Sequence, residues 1–150
     1  MTTHEIFLAD IDVRISQITT AKPEEMCMLY HAGGWCIDTW NVAMLQAVVE
    51  KSFAFVAAET KDGSWIGMGR LISDGVSDAY LHDIVVLPKW EGNGIGSGIV
   101  QILINICHEH GITWIGFIAE PQTEYFYRKF GFSRMNLYTP MIYERSTSHL

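Results

Sequence analysis

Hydrophobic and polar positions change rhythm several times along the chain, and each change marks an element. Ile11, Val13 and Ile15 alternate with Asp12, Arg14 and Ser16, the period-two pattern of a half-buried strand over 11–18. Pro23 and the acidic pair Glu24-Glu25 then open a helix, since proline is tolerated in a first turn and carboxylates are favoured at its positive end; Gly33-Gly34 closes it. Asp38 or Thr39 is placed to cap a second helix carrying Leu45, Val48 and Val49. FAFVAAE (53–59) and SWIGMGRLI (64–72), joined through Asp62-Gly63, predict a β-hairpin, with a second turn at Ser73-Asp74-Gly75.

The most informative stretch follows, residues 79–107. Leu81 and Ile84 to Leu87 form an apolar run of strand length, which Pro88 ends because it donates no ladder hydrogen bond. Gly92, Gly94, Gly96 and Gly98 then fall at every second position, while Ile95, Ile99, Ile102, Leu103 and Ile106 recur at helical spacing. The spacing predicts a strand, a glycine loop and a helix. A helix start carries unspent N–H groups and the positive end of the macrodipole, and glycines let a ligand approach the backbone, so this loop suits an anion such as phosphate. It is not a dinucleotide fingerprint, because Ser97, Ile99 and Gln101 occupy the positions where the third glycine is needed; nor is it a P-loop, because no lysine follows the glycines.

Gly111 ends the long helix and ITWIGFIA (112–119) predicts another strand, so the strand–helix–strand unit implies a parallel pair joined by a right-handed crossover. Pro121 is expected to begin a short helix, TEYFYRKFG, ended by Gly131, and residues 134–145 to form a last pair of extended segments divided by Pro140. The predicted order is β-α-α-β-β-β-α-β-α-β-β.

Composition narrows the class. With 150 residues, 49% hydrophobic and 18% charged, the chain reads as one globular domain, 1–150. No apolar run reaches the length of a membrane span, and the N-terminus lacks the basic region of a secretory signal. Cys27, Cys36 and Cys107 form neither a disulfide framework nor a zinc motif, and the six histidines show no metal-ligand grouping, so no metal is expected and a reducing cytoplasm is the expected compartment. A net charge of −7 argues against nucleic acid as a partner and favours cationic substrates.

Two segments carry a resemblance. Val86-Leu87-Pro88-Lys89-Trp90-Glu91-Gly92-Asn93-Gly94-Ile95-Gly96 resembles the coenzyme A pyrophosphate loop of the GNAT acetyltransferase superfamily, usually Gln/Arg-x-x-Gly-x-Gly/Ala after a strand end. FYRKFGF (126–132) is similar to that superfamily's later aromatic-Tyr motif, and residues 34–35, 51–75 and 81–88 resemble a bacterial and archaeal branch of it. The resemblance implies the GNAT fold: an α+β sandwich whose mixed, mostly antiparallel sheet holds a parallel pair splayed around the coenzyme A site. It further implies an acetyl-CoA-dependent N-acetyltransferase acting directly on a primary amine, of a small molecule or a peptide, and a possible homodimer.

Carried over residue by residue, the resemblance places the pantetheine arm on Ile84, Val85, Val86 and Leu87, and the pyrophosphate on the loop from Glu91 and Gly92 through Asn93, Gly94, Ile95 and Gly96 to Ser97. Phe126, Tyr127 and Lys129 border the same ligand. The chemistry sets further demands: an amine of pKa near 10.4 must lose a proton before attack, and the departing thiolate must regain one. Tyr127 is the expected acid, with a packing aromatic as the ordinary alternative. Asp83 or Glu59 is the expected base, through water, with His82 able to act directly; an ion pair with Arg70 is the ordinary alternative for a strand carboxylate. Tyr30, Trp35, His82 and Glu120 are the expected acceptor-side residues, with His31 and Trp40 beside the first two as a wall for an amine cation. Cys36 is not expected to be a nucleophile. Glu91 and Asn93 depart from the family's usual Gln/Arg and basic residue, which removes positive charge beside a pyrophosphate. A non-catalytic acyl-CoA-sensing or protein-interaction GNAT domain is therefore the rival reading, and a regulatory nucleotide-binding domain a third.

Overall fold

In the computed structural model, which describes residues 4–35 and 37–144, six described strands join in chain order into one sheet. They are β1 (Glu5–Leu8), β2 (Val13–Gln17), β3 (Ala54–Thr60), β4 (Trp65–Ser73), β5 (Asp78–Val86) and β6 (Trp114–Gly116). The helices are α1 (Pro23–Ala32), α2 (Val42–Lys51), α3 (Ile95–Glu109) and α4 (Glu124–Arg128). Strands β1 to β5 pair antiparallel and β6 joins β5 in parallel. The mixed, mostly antiparallel α+β architecture read from the sequence is borne out. The chain divides after Phe117 into two compact units.

In the first unit, β3 and β4 are buried on both faces. Phe55, Ala57, Trp65 and Met68 pack with Met26, Leu29 and Tyr30 of α1 and with Leu45 and Val49 of α2. On the opposite face α3 buries Ile95, Ile99, Ile102, Leu103 and Ile106. The helix sits very close to the sheet: a Cβ added at Gly98 would lie 2.4 Å from Ile15 Cδ1, and one at Gly69 would lie 2.7 Å from Ile99 Cγ2. Side chains at these positions would push α3 off the sheet, so part of the glycine run serves packing.

Several boundaries differ from expectation. α2 is capped by Asn41, whose side chain accepts from the Met44 N–H at 2.9 Å, because Asp38 and Thr39 lie in a turn closed by Trp40 N–H to Ile37 O. Pro121 does not open the short helix: Gln122 has φ +68°, outside the helical region, and α4 starts only at Glu124. β6 keeps three residues of the expected eight, those that pair with β5. The expected last pair of strands is absent among the described residues to 144; instead Tyr138 N–H bonds Met135 O and Leu137 has φ +71°. Arg145 and Cys36 lie outside the described residues. β1 was not anticipated; its four residues hold only Ile6 and Leu8 on the half-buried side, too short for a periodic signal.

The second unit, from Ile118, is organised by α4. Glu124 accepts from Arg128 Nη2 at 2.8 Å and from Arg134 Nε at 2.7 Å, tying the helix start to the segment after it. Phe126, Tyr127, Phe130 and Phe132 pack edge to face, and Lys129 Nζ stands 4.6 Å from the Phe126 ring centroid.

Candidate active site

β5 is paired along one side only for most of its length. It meets β4 from Ala79 to Val86, whereas β6 covers Asp78 to Tyr80 alone. From Leu81 onward the other side has no strand partner among the described residues, and the side chains of Ile84, Val85, Val86 and Leu87 are half-buried. The Leu87 N–H bonds Ile66 O on β4 at 2.8 Å. Strand alternation therefore turns the Val86 N–H toward the open side. An open edge of this kind accepts an extended polar chain as an added strand.

A 3-10 turn, Pro88–Trp90, joins that edge to the glycine loop. Gly92 (φ +78°) and Gly94 (φ +82°) adopt left-handed conformations that side chains resist, with open space where each Cβ would be. Asn93 holds the loop from within, its Nδ2 donating to Trp90 O at 3.0 Å and Glu91 O at 3.2 Å. The first intrahelical bond of α3 is Gly98 N–H to Gly94 O at 2.9 Å, so the amides of Ile95 and Gly96 enter the helix without an intrahelical acceptor. Glu91 is exposed beside them, as is Lys89, whose Nζ lies 5.8 Å from the Trp90 ring centroid. Edge, loop and helix start together suit coenzyme A: amides for a pyrophosphate, bare glycines for close approach, and a free strand edge for an amide-bearing arm.

Beside the open edge β5 carries a bulge. His82 faces Arg70 and Val85 faces Met68, leaving Asp83 and Ile84 together opposite Gly69. Asp83 there has φ +56°, a region costly for a residue with a Cβ, although aspartate tolerates it better than most. Its side chain is only 8% exposed. Oδ2 accepts from Arg70 Nε at 2.6 Å and Tyr30 Oη at 2.8 Å, and Oδ1 lies 2.7 Å from His82 Nδ1. Burial alone would raise the Asp83 pKa; the contacts from His82, Arg70 and Tyr30 more than reverse it and hold the carboxyl at about 2. Burial and the adjacent Asp83 push the Tyr30 phenol well above its ordinary value. Pairing with Arg70 is thus the alternative that the sequence left open for Asp83. The bulge and the Tyr30 contact were not legible in it; Gly69 on β4, where a Cβ would lie 2.5 Å from Ile84 Cδ1, is a signal for the bulge, and no local signal marks the Tyr30 contact.

Tyr30 also links Asp83 to the expected acceptor wall, its ring meeting Trp35 and Trp40 edge to face at 6.1 and 5.4 Å. His31 faces Asp38 at 3.5 Å, on the exposed surface. Glu59 belongs to a different cluster. It accepts from Lys22 Nζ at 2.6 Å, Trp65 Nε1 at 3.1 Å and Arg14 Nη2 at 3.3 Å, and the Lys22 contact leads in holding its carboxyl below the usual range. In the second unit Tyr127 is buried; burial, then the nearby charge of Glu120, push its phenol up to about 12. Cys107 is fully buried and burial pushes its thiol up to about 11, which makes it an inert packing residue. Among the described residues no group of three or more potential metal ligands converges, and no helix is long and apolar enough to cross a membrane.

Comparison with known proteins places the same features in a family. The acetyltransferase (GNAT) family pattern matches residues 19–132. The chain is 31% identical over 101 residues to GCN5-related N-acetyltransferase 2, chloroplastic, of Arabidopsis thaliana, covering 63% of this chain and 39% of that protein. It is 34% identical over 123 residues to the uncharacterized N-acetyltransferase ycf52 of Pyropia yezoensis, covering 81% of this chain and 70% of that one. The chain thus spans about two-fifths of the length of the plant relative and more than two-thirds of the algal one. Among solved structures, a GNAT-family acetyltransferase of Streptococcus pneumoniae superposes with a TM-score of 0.69 at 27% identity, over 89% of this chain and 98% of that one.

Proposed function

The chain belongs to the GNAT family of acetyltransferases, and from that premise we propose that it moves the acetyl group of acetyl-CoA directly onto a primary amine, of a small molecule or a peptide, with both substrates bound together. One observation carries the reading: the open edge of β5 leads, through one 3-10 turn at Pro88–Trp90, into a glycine loop at the start of α3. Acetyl-CoA supplies the activated thioester. Ile84 to Leu87 would hold its arm along the strand, and the amides of Ile95 and Gly96, with the loop from Glu91 to Ser97, would hold the pyrophosphate. The Val86 N–H, turned to the open side, is the donor placed to stabilise negative charge on the thioester oxygen.

Tyr127 is assigned to the departing sulfur by its place in the FYRKFGF motif. A phenol held at about 12 keeps its proton throughout the working range. Full transfer to a thiolate of pKa near 8.5 is uphill, so its part is to donate a hydrogen bond to the sulfur as charge develops there. Phe126 and Lys129 are assigned to the coenzyme A side by the same motif, and Tyr30, Trp35 and Glu120 to the acceptor side, where a chain of net charge −7 favours a cationic amine.

The exposed Glu91 supports a second reading, an acyl-CoA-sensing module that does not turn over, because a carboxylate beside the loop opposes a pyrophosphate. Calorimetry and a thiol-release assay separate the two. Gly94→Val should lower coenzyme A affinity about tenfold or more, through the strained φ and the blocked approach. Equal affinity of Gly94→Val and wild type overturns the loop assignment. Coenzyme A binding without thiol release across an amine panel selects the sensing module.

A further inference from the structure

We infer that His82 is the base that takes the acceptor's proton, through Nε2, and that Asp83 is the positioning residue that fixes the ring for this task. The inference rests on the acetyl-transfer reading above and adds the residue that makes the amine nucleophilic. It begins with the geometry at Asp83 Oδ1, which lies 2.7 Å from His82 Nδ1. A carboxylate oxygen held in its ionised form only accepts, so Nδ1 carries the hydrogen and Nε2 keeps its lone pair. Arg70 Nη2 stands 3.3 Å from the same Nδ1, farther away than Oδ1, and its shorter bond is the one from Nε to Asp83 Oδ2.

Among the charged and titratable groups around the ring Arg70 alone opposes this arrangement, since a guanidinium only donates and would compete for an unprotonated Nδ1; the shorter contact to Asp83 decides the tautomer. Arg70 reaches it from β4, Asp83 and Tyr80 from β5, with the Tyr80 ring 5.8 Å away, and Tyr30 acts from α1 through Asp83. Arg70 and Tyr30 together occupy Oδ2, which leaves Oδ1 to the imidazole. The left-handed bulge is what brings Asp83 into line with its own strand neighbour, since in regular strand geometry successive side chains point to opposite faces. Strain held at such a position needs a surrounding structure that enforces it, and the Arg70–Asp83–Tyr30 contacts supply one. Asp83 itself is a poor base: it is 8% exposed and saturated by donors, whereas the His82 side chain is 42% exposed.

The proton balance closes. The ammonium nitrogen gives one proton to His82 Nε2, which later returns it to water. The freed nitrogen forms its bond to the thioester carbonyl carbon, the carbon–sulfur bond breaks, and the second proton on nitrogen neutralises the sulfur.

The test compares wild type, His82→Gln and Asp83→Asn in acetyl transfer to an amine, as kcat/KM across pH 6–10, with coenzyme A affinity measured alongside. Wild type should show an acidic limb in which activity rises with pH. His82→Gln should bind coenzyme A normally, lose about 100-fold in kcat/KM near neutral pH, and recover part of it toward pH 10, where more of the amine is already neutral. Asp83→Asn should fall less and keep an acidic limb that is displaced. If Asp83→Asn does not fold, His82→Gln alone decides, because its exposed ring contributes little to the core. A wild type that binds coenzyme A but acetylates no amine overturns the acetyl-transfer reading and this inference with it. An active wild type whose His82→Gln variant keeps its rate and its acidic limb overturns the inference alone.

Discussion

Two carboxylates on the same sheet, Asp83 and Glu59, have almost the same inventory of partners and very different situations. Asp83 has one arginine, one aromatic hydroxyl and one imidazole; Glu59 has a lysine, an arginine and one indole N–H. Asp83 sits in a strained bulge with its side chain 8% exposed, beside the open edge of β5. The Glu59 side chain is 25% exposed and its cations, Lys22 and Arg14, are themselves in contact with water. The contacts of the Glu59 cluster tie elements together: β2, the start of α1, β3 and β4. The Asp83 cluster includes the His82 imidazole, 42% exposed, the side chain proposed above to take the acceptor's proton.

The largest difference should appear when each carboxylate is removed. Arg70 is 15% exposed, and Asp83→Ala would leave its guanidinium buried without a counter-charge. Breaking a buried pair this way costs about 3–5 kcal/mol, which in a chain of this size lowers Tm by roughly 6–20 °C. The double substitution Asp83→Asn with Arg70→Met should recover most of that loss, since asparagine tolerates the left-handed φ and still accepts from Tyr30 while neither charge remains to be desolvated. Thermal unfolding of the singles and the double tests this. A single variant as stable as wild type would show that Arg70 is solvated after all.

A second contrast lies in acid. The Asp83 carboxyl titrates at about 2 when folded, below the roughly 3.9 of an unfolded aspartate. Its stabilising contribution is therefore complete above about pH 4 and is lost as pH falls toward 2, on the order of 2 kcal/mol in all. Urea unfolding followed from pH 5 to pH 2 should show wild type losing stability more steeply than Asp83→Asn. Parallel curves would mean that the ion pair does not favour the charged form.

How much of this was readable in advance follows from the range of each interaction. Local patterning found β2 and α3 by periodicity, α1 by the residues at its ends, and the β3–β4 hairpin and β5 as apolar runs bounded by turns or proline. It missed β1 and overextended β6, whose limits come from strand partners distant in sequence. The glycine loop was legible because its left-handed turns and the helix start after it are written into adjacent positions. Asp83, Glu59 and His82 all stand out in the sequence as candidate bases. What surrounds Asp83 was not legible, since Tyr30, Arg70 and Asp83 meet only through tertiary packing, and a left-handed aspartate in a strand leaves no mark in a pattern of apolar and polar residues.

The smallest effect is expected at Glu59, and it sharpens the comparison most economically. Glu59→Gln keeps the length of the side chain and its ability to accept from Trp65 Nε1, while removing the charge that Lys22 and Arg14 face. Those side chains are 41% and 55% exposed, so water takes up much of the lost attraction. Pairs of this kind contribute about 0–1 kcal/mol and less as salt rises. Glu59→Gln should accordingly shift the urea midpoint only slightly at low salt and not at all near 1 M, with kcat within about twofold of wild type, against the 10²–10⁴-fold that loss of a general base removes. A fall of about 100-fold in kcat with loss of the acidic limb, in a variant that remains folded, would reverse the two roles: Glu59 would be the base, and the Asp83 cluster the structural tie.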